Sequence, residues 1–147
     1  TNALLEVCAK LAQKIARDGE GATKLLTVKV TGARNELEAK NAARAVVRSP
    51  LVKAAVHGND PNWGRILVAV GNSGAVSDMA NLTIKLQSYV VYQGQSLTFD
   101  EVAVSGAMKA ASEVVVEIEL AAGSATATAW GCDLTAEYVR VNADYTM

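Results

Sequence analysis

The sequence is poor in cysteine, proline and aromatic residues, and it has no long hydrophobic run. Its two cysteines, Cys8 and Cys132, lack the paired spacing of a metal knuckle or a redox motif. Apolar runs such as 66–70 fall far short of the roughly 20 residues that a membrane-spanning helix needs. The first residues also lack the basic and apolar regions of a signal peptide. We therefore expect no metal, no membrane association and a reducing compartment.

Neither sign of charge is in excess. The chain has 14 Lys and Arg residues against 15 Asp and Glu residues, a formal net charge of -1. Because no basic field is available to neutralise phosphates, nucleic acid is not expected as a partner. Apolar residues make up 50% of the 147 residues and charged residues 20%, which excludes disorder driven by charge. These values predict one globular domain over residues 1–147.

Period-2 patterns predict strands, and the fold class follows from how they alternate with helices. Strands are expected at Leu25–Val30, Leu82–Leu86, Tyr89–Tyr92, Val114–Leu120 and Ala125–Trp130. The last two flank a turn at 121–124 and are predicted to pair as a β-hairpin. The prediction is an α+β fold: a mixed β-sheet with antiparallel hairpins packed against several helices.

Helical periodicity and capping signals predict the remaining elements. Apolar residues at positions 4, 5, 8, 11, 12 and 15 predict an amphipathic helix that ends at Asp18-Gly19. Further helices are expected from the cap Asn35 to Arg48, from Asp60-Pro61 through Val70, from Asp100 to Lys109, and from about Asp133 to Val141. Between two of these helices, residues 51–56 form only a short apolar stretch.

The first candidate site is the segment Asp18-Gly19-Glu20-Gly21-Ala22-Thr23-Lys24, at a helix-to-strand junction. Glycines on both sides of Glu20 allow close approach of a ligand, and Lys24 places an ammonium four positions from the carboxylate. Glu20 could therefore hold a substrate amino group. From spacing alone, a glycine helix cap with a solvated glutamate remains the simpler alternative.

The second candidate is 57–65, where the only histidine of the chain precedes two amides, a carboxylate, an indole and a guanidinium. His57 near Asp60 suggests a general base. However, Asp60 before Pro61 is more typical of a helix cap, and no Ser or Cys near the pair in sequence is available as a nucleophile. We favour a structural role, in which Trp63 and Arg65 fix the turn or a subunit contact.

The third candidate is 129–135, followed by Tyr138 and Asn142. Cys132 has no base near it in sequence, which favours a packed thiol over a nucleophile. Asp133 or Thr135 can cap the last helix. Tyr138 is expected to face the core.

Taken together, several segments resemble the ornithine acetyltransferase family, also called glutamate N-acetyltransferase, over nearly the whole chain. The most specific is Asp-Pro-Asn-Trp-Gly-Arg at 60–65, and the others are 18–24, 49–56, 130–135 and 138–145. The resemblance implies arginine biosynthesis, with acetyl transfer from N2-acetyl-L-ornithine to L-glutamate through an acetyl-threonine intermediate. It implies no cofactor, although acetyl-CoA is a possible co-substrate.

The resemblance also implies a precursor that cleaves itself into α and β chains, in which the Thr that begins the β chain is the nucleophile. Thr1 does not match that threonine, because only 17 residues precede Asp18 where the family has several tens. We therefore expect this chain to be the C-terminal part of the β chain. The nucleophile and the oxyanion donors of the α chain would then lie outside it, and no catalytic residue is assigned within it.

Three positions correspond to substrate-binding residues of the family. Glu20 matches the glutamate that contacts the amino-acid substrate, and Asn142 matches an asparagine near the C-terminus that does the same. The family has a hydroxyl residue five positions after that asparagine. Here that position is Met147, with Thr146 before it.

The expected partners are the α chain and the remaining β segment, in an α2β2 heterotetramer, together with small amino-acid substrates. The cytoplasm is the expected location, with the plastid as the alternative. Two other functions stay open: a non-catalytic domain that builds a subunit interface, and a related N-terminal-nucleophile aminopeptidase, against which the family segments count.

Overall fold

The computed structural model describes residues 2–144, and this part of the chain forms six helices and five strands. In chain order they are α1 (Asn2–Arg17), β1 (Leu25–Ala33), α2 (Glu36–Arg48), α3 (Pro50–Gly58), α4 (Trp63–Gly71), β2 (Thr83–Leu86), β3 (Tyr89–Gln93), α5 (Glu101–Ala110), β4 (Glu113–Glu119), β5 (Ala125–Cys132) and α6 (Ala136–Ala143). No helix within residues 2–144 is long and apolar enough to cross a membrane.

The five strands form one mixed sheet in the order β3-β2-β4-β1-β5. β1 is parallel to β4 and antiparallel to β5, and β2 is antiparallel to both β3 and β4. The predicted α+β class with a mixed sheet is confirmed.

One face of the sheet forms the core under α2. The inward side chains of β1, Leu26, Val28 and Val30, are buried, and α2 contributes a row of small or β-branched residues: Ala39, Ala42, Ala43, Val46 and Val47. On β5 the facing residues are small, and a Cβ added at Gly131 would lie 3.1 Å from the Cβ of Val47. α2 can therefore lie close to β5 and β1, which excludes water from this face.

The predicted hairpin between β4 and β5 is wrong, because β1 lies between these two strands. After β4, the Leu120 N–H donates to Thr31 O at 2.9 Å and the Ala122 N–H donates to Gly32 O at 2.8 Å. The chain thus crosses the end of β1, where a Cβ on Gly123 would lie 2.4 Å from Ala33 O. Alternation of apolar and polar residues predicts strands but does not identify their neighbours.

One helix was not predicted, and the start of another needs correction. The apolar stretch 51–56 is helical, because Ser49 both ends α2 and caps α3, with Pro50 in the first turn. α4 starts after Asn62, whose side chain accepts from the Arg65 N–H at 3.2 Å, and not at Asp60. The Asp60 N–H instead donates to Ala55 O at 2.9 Å and closes the end of α3.

α1 is the predicted amphipathic helix, but none of its residues is buried by the described part of the chain. Its exposed apolar side chains are Leu4, Leu5, Val7, Leu11 and Ile15. A surface of this kind on a folded chain marks an interaction site.

Candidate functional site

Glu20 and Asn142, two of the predicted substrate-binding residues, lie side by side although 122 positions separate them in sequence. The Asn142 Nδ2 donates to Glu20 Oε2 at 2.9 Å and to Tyr138 O at 2.8 Å. Both side chains are exposed. No Lys or Arg within residues 2–144 lies within ion-pair distance of Glu20. The third predicted residue, Met147, lies outside the described residues, as do Thr146 and Thr1.

The N-terminus of α6 fixes the loop that carries Glu20. Thr135 caps α6: its Oγ1 accepts from the Tyr138 N–H at 3.0 Å and donates to Gly21 O at 2.8 Å. Gly21 has φ +68°, and a Cβ there would lie 2.7 Å from the Tyr138 nitrogen. Only glycine fits this approach, so the position of Glu20 depends on Gly21.

Asp133 binds the other end of the same loop. Its buried carboxylate accepts from the Thr23 N–H at 2.8 Å, the Thr23 Oγ1 at 2.5 Å and the Lys24 N–H at 3.0 Å, and it contacts His57 Nδ1 at 2.9 Å. Burial alone would raise the pKa of Asp133, but the hydrogen bonds from Thr23, Lys24 and His57 outweigh it and hold the pKa below its usual value. Of the two predicted caps for the last helix, Thr135 is the cap, because the Asp133 carboxylate binds the loop instead.

His57 pairs with Asp133 and not with Asp60, its neighbour in sequence. The imidazole is about half exposed, at 45%, while the Asp133 side chain is fully buried. Asp60 accepts instead from Asn62 Nδ2 at 3.1 Å. The pair therefore ties α3 to the segment after β5 and, through Asp133, to the loop 18–24.

Lys24 does not form the pair with Glu20 that its spacing suggested. Its Nζ donates to Asn59 Oδ1 and, at 2.6 Å, to Met108 O. Burial lowers the pKa of the Lys24 ammonium, against the raising effect of the Asp133 charge. Glu20 is thus left without a cation from the described part of the chain, as a carboxylate that binds a substrate ammonium would be.

Of the remaining predicted residues, Arg65, Trp63 and Cys132 contact other parts of the described chain, whereas Tyr138 is exposed. The Arg65 Nη1 donates to Leu51 O at 2.9 Å, and the rings of Trp63 and Tyr92 lie 5.0 Å apart, so both side chains have contacts that can hold this turn. The Cys132 Sγ packs so close to Gly19 that a Cβ there would lie 2.6 Å away. Tyr138 is 44% exposed, so the prediction that it faces the core is wrong.

The described residues offer no metal centre: within 2–144 no three His, Cys, Asp or Glu side chains converge in a group that could hold an ion. The site is therefore a polar surface formed by the loop 18–24 and α6. Its chemistry is that of a carboxylate, which accepts hydrogen bonds, beside an amide, which both donates and accepts them.

Comparison with known proteins gives a consistent result. A family profile described as the ArgJ family matches residues 1–147. The arginine biosynthesis bifunctional protein ArgJ of Deinococcus radiodurans is 54% identical over 144 residues, which are 98% of this chain and 37% of that protein. The glutamate N-acetyltransferase of Methanopyrus kandleri is 53% identical over an alignment of 147 positions that covers 97% of this chain and 38% of that protein.

A solved structure is similar over almost the same extent. The crystal structure of the arginine biosynthesis bifunctional protein ArgJ from Bacillus halodurans superimposes with a TM-score of 0.95 at 45% identity. The match covers 98% of this chain and 68% of that one. The chain thus spans little more than a third of the length of the curated relatives named above.

Proposed function

Because the chain belongs to the ArgJ family, we propose that it is part of an acyltransferase of arginine biosynthesis. The complete enzyme transfers an acetyl group from N2-acetyl-L-ornithine to L-glutamate. The observation that carries the proposal for this chain is the hydrogen bond between Glu20 and Asn142, two of the three residues that the resemblance assigns to the substrate.

The reaction proceeds in two acyl transfers. A threonine hydroxyl from polypeptide outside this chain attacks the acetyl carbonyl, the C–N bond of N2-acetylornithine breaks, and the departing α-amine takes a proton. The α-amine of glutamate then attacks the acetyl ester, and the threonine hydroxyl is restored. Oxyanion donors of the α chain stabilise both tetrahedral intermediates. The acetyl group moves between amines without a cofactor, and acetyl-CoA is a second donor to be tested.

Glu20 and Asn142 bind and orient the amino-acid part of the substrate. The Glu20 carboxylate has no cation partner in the described residues, so a substrate ammonium can bind it with a charge-assisted hydrogen bond. The bond from Asn142 Nδ2 fixes the carboxylate, and the amide oxygen of Asn142, which accepts no hydrogen bond from residues 2–144, can accept one from the substrate. Because the α-nitrogen of N2-acetyl-L-ornithine is an amide, the ammonium available to Glu20 in that substrate is the one on the side chain. In L-glutamate it is the α-ammonium, and the Asn142 amide can contact either substrate.

Other polypeptide completes the site, because both side chains are exposed in this chain. We propose that it comes from the α chain and the rest of the β chain, in an α2β2 assembly, with this chain as the C-terminal part of the β chain. The cytoplasm is the proposed location. The exposed apolar side of α1 favours a second function beside substrate binding, which is to form an interface within that assembly.

The test is the substitution Glu20→Gln in the complete enzyme. Loss of a charge-assisted hydrogen bond worth about 1.5–3 kcal/mol is expected to lower kcat/KM for N2-acetylornithine roughly 10- to 100-fold. Steady-state kinetics of acetyl transfer measure this effect. The matched control is Glu137→Gln, which removes the same charge from an exposed position on α6. If both variants keep the wild-type kcat/KM, Glu20 does not bind the substrate.

A further inference from the structure

The outer edge of β5 carries backbone groups that nothing in the described chain satisfies. The Leu25 N–H donates to Ser112 O, and Thr31 O accepts from the Leu120 N–H. The backbone N–H and C=O groups at odd-numbered positions of β1 therefore point toward β4. Even positions of β1 therefore face β5, where their opposite residues are Ala127, Ala129 and Gly131. The N–H and C=O groups of the alternate residues, Thr126, Thr128 and Trp130, point away from the sheet.

No hydrogen bond within residues 2–144 reaches those outward groups. β5 also lacks the features that protect edge strands, since its eight residues include no charge and no proline. The opposite edge differs. β3 has five residues, and the chain folds back beside it through a bridge between Tyr92 and Ser96. The edge of β5 is therefore a free pairing surface at one side of the sheet.

We propose that β5 receives a β-strand from the polypeptide that the relatives contain beyond this segment, so that the sheet gains a sixth strand by β-augmentation. The curated relatives carry this segment as only 37–38% of their length, so ample chain is available. α1 contacts β5 and has uncovered apolar side chains, so a large partner can cover both surfaces.

A strand from the same precursor is favoured over a second copy of this chain because it is present at a higher effective concentration. Segments made as one polypeptide meet at an effective concentration in the mM range, whereas two copies must meet in solution. The inference rests on the proposed position of the chain within a longer precursor. Its experiments measure backbone pairing and not acetyl transfer, so its failure is distinguishable from failure of the proposed activity.

The first experiment compares Thr128→Pro with Thr128→Ala in the complete protein. Proline removes the outward N–H of residue 128 without removing a bond to β1, whereas alanine keeps that N–H. We expect Thr128→Pro to reduce the yield of assembled protein in size-exclusion chromatography at least tenfold, and Thr128→Ala to leave it unchanged. Equal assembly of both variants would overturn the proposal.

The second experiment needs no variant. Residue-resolved hydrogen exchange of the complete wild-type protein is expected to show the amides of Thr126, Thr128 and Trp130 as protected as those of Ala127 and Ala129. Rapid exchange at the three outward amides would overturn the proposal.

A third experiment excludes pairing with a second copy. In a two-fold antiparallel pairing centred near residue 128, the substitution Thr128→Cys places two thiols opposite each other. We expect no disulfide between residues 128 of two copies under mild oxidation. A dimer linked through residue 128 would overturn the assignment of the occupant.

Discussion

Replacing Asp133 by alanine is expected to lower the free energy of unfolding by about 3–5 kcal/mol, because it leaves buried donors without an acceptor. The Thr23 N–H, the Thr23 hydroxyl and the Lys24 N–H all bond to this one carboxylate, and His57 contacts it at 2.9 Å. The loop that carries Glu20 would lose its attachment to the end of β5. Urea denaturation of the complete protein, followed by fluorescence, measures the change.

Asp60→Ala is the matched control. Asp60 is exposed, and within residues 2–144 its side chain accepts only from Asn62 Nδ2, at 3.1 Å, so its removal should change stability by no more than about 0.5 kcal/mol. If the two variants unfold at the same urea concentration, the network around Asp133 does not hold the loop.

The pH dependence of stability, compared between wild type and Asp133→Asn, gives a second readout. The folded pKa of Asp133 lies below its usual value, so its ionised form stabilises the fold. This contribution is complete above the unfolded pKa of about 3.9 and is lost as the pH falls through the folded pKa. The stability gap between wild type and Asp133→Asn should therefore shrink as the pH falls below about 4.

Gly21→Ala is expected to reduce acetyl transfer about 100-fold, the effect of a displacement of order 1 Å in a binding site. The residue has φ +68°, which costs a residue with a Cβ roughly 1–2 kcal/mol. The added Cβ would also lie 2.7 Å from the Tyr138 nitrogen, so the first turn of α6 must shift. That shift separates Asn142 from Glu20. Steady-state kinetics together with thermal denaturation measure both effects.

Gly106→Ala controls for the general effect of the substitution. Gly106 lies within α5, has an ordinary φ and has no atom within 4 Å of an added Cβ. Alanine there should leave activity unchanged and stabilise the helix by about 0.5–1 kcal/mol. Wild-type activity of Gly21→Ala would show that the close approach of the loop to α6 is not needed for substrate binding.

The sequence predicts most elements of this fold because their signals are local. The alternation in 25–30 and 114–120 identifies strands, the cap Asn35 is used as predicted, and a helix starts at Asp100-Glu101 as predicted. The order of the strands does not follow from local sequence. The turn at 121–124 is compatible with a hairpin and also with a connection that crosses the end of β1, which the structure has. Ser49-Pro50 likewise ends one helix and begins the next, and only the end was predicted.

The site was predictable in part, for the same reason. His57 and Asp133 are 76 positions apart and meet only because α3 packs beside the end of β5. Spacing therefore suggested the neighbour Asp60 as the partner of His57, but Asp60 accepts a hydrogen bond from Asn62. Spacing equally suggested Lys24 as the partner of Glu20, although Lys24 binds Asn59 and Met108. The pairing of Glu20 with Asn142 was accessible through the family resemblance and not through periodicity.

A crystal structure of the complete protein with bound N2-acetyl-L-ornithine tests the central claim most directly, which is that Glu20 and Asn142 hold the amino-acid part of the substrate. We expect a Glu20 carboxylate oxygen about 2.7–3.0 Å from the side-chain ammonium nitrogen of the ligand, with Asn142 hydrogen-bonded to the same ligand. A ligand bound more than about 4 Å from both side chains, with Glu20 and Asn142 still bonded only to each other, would contradict it.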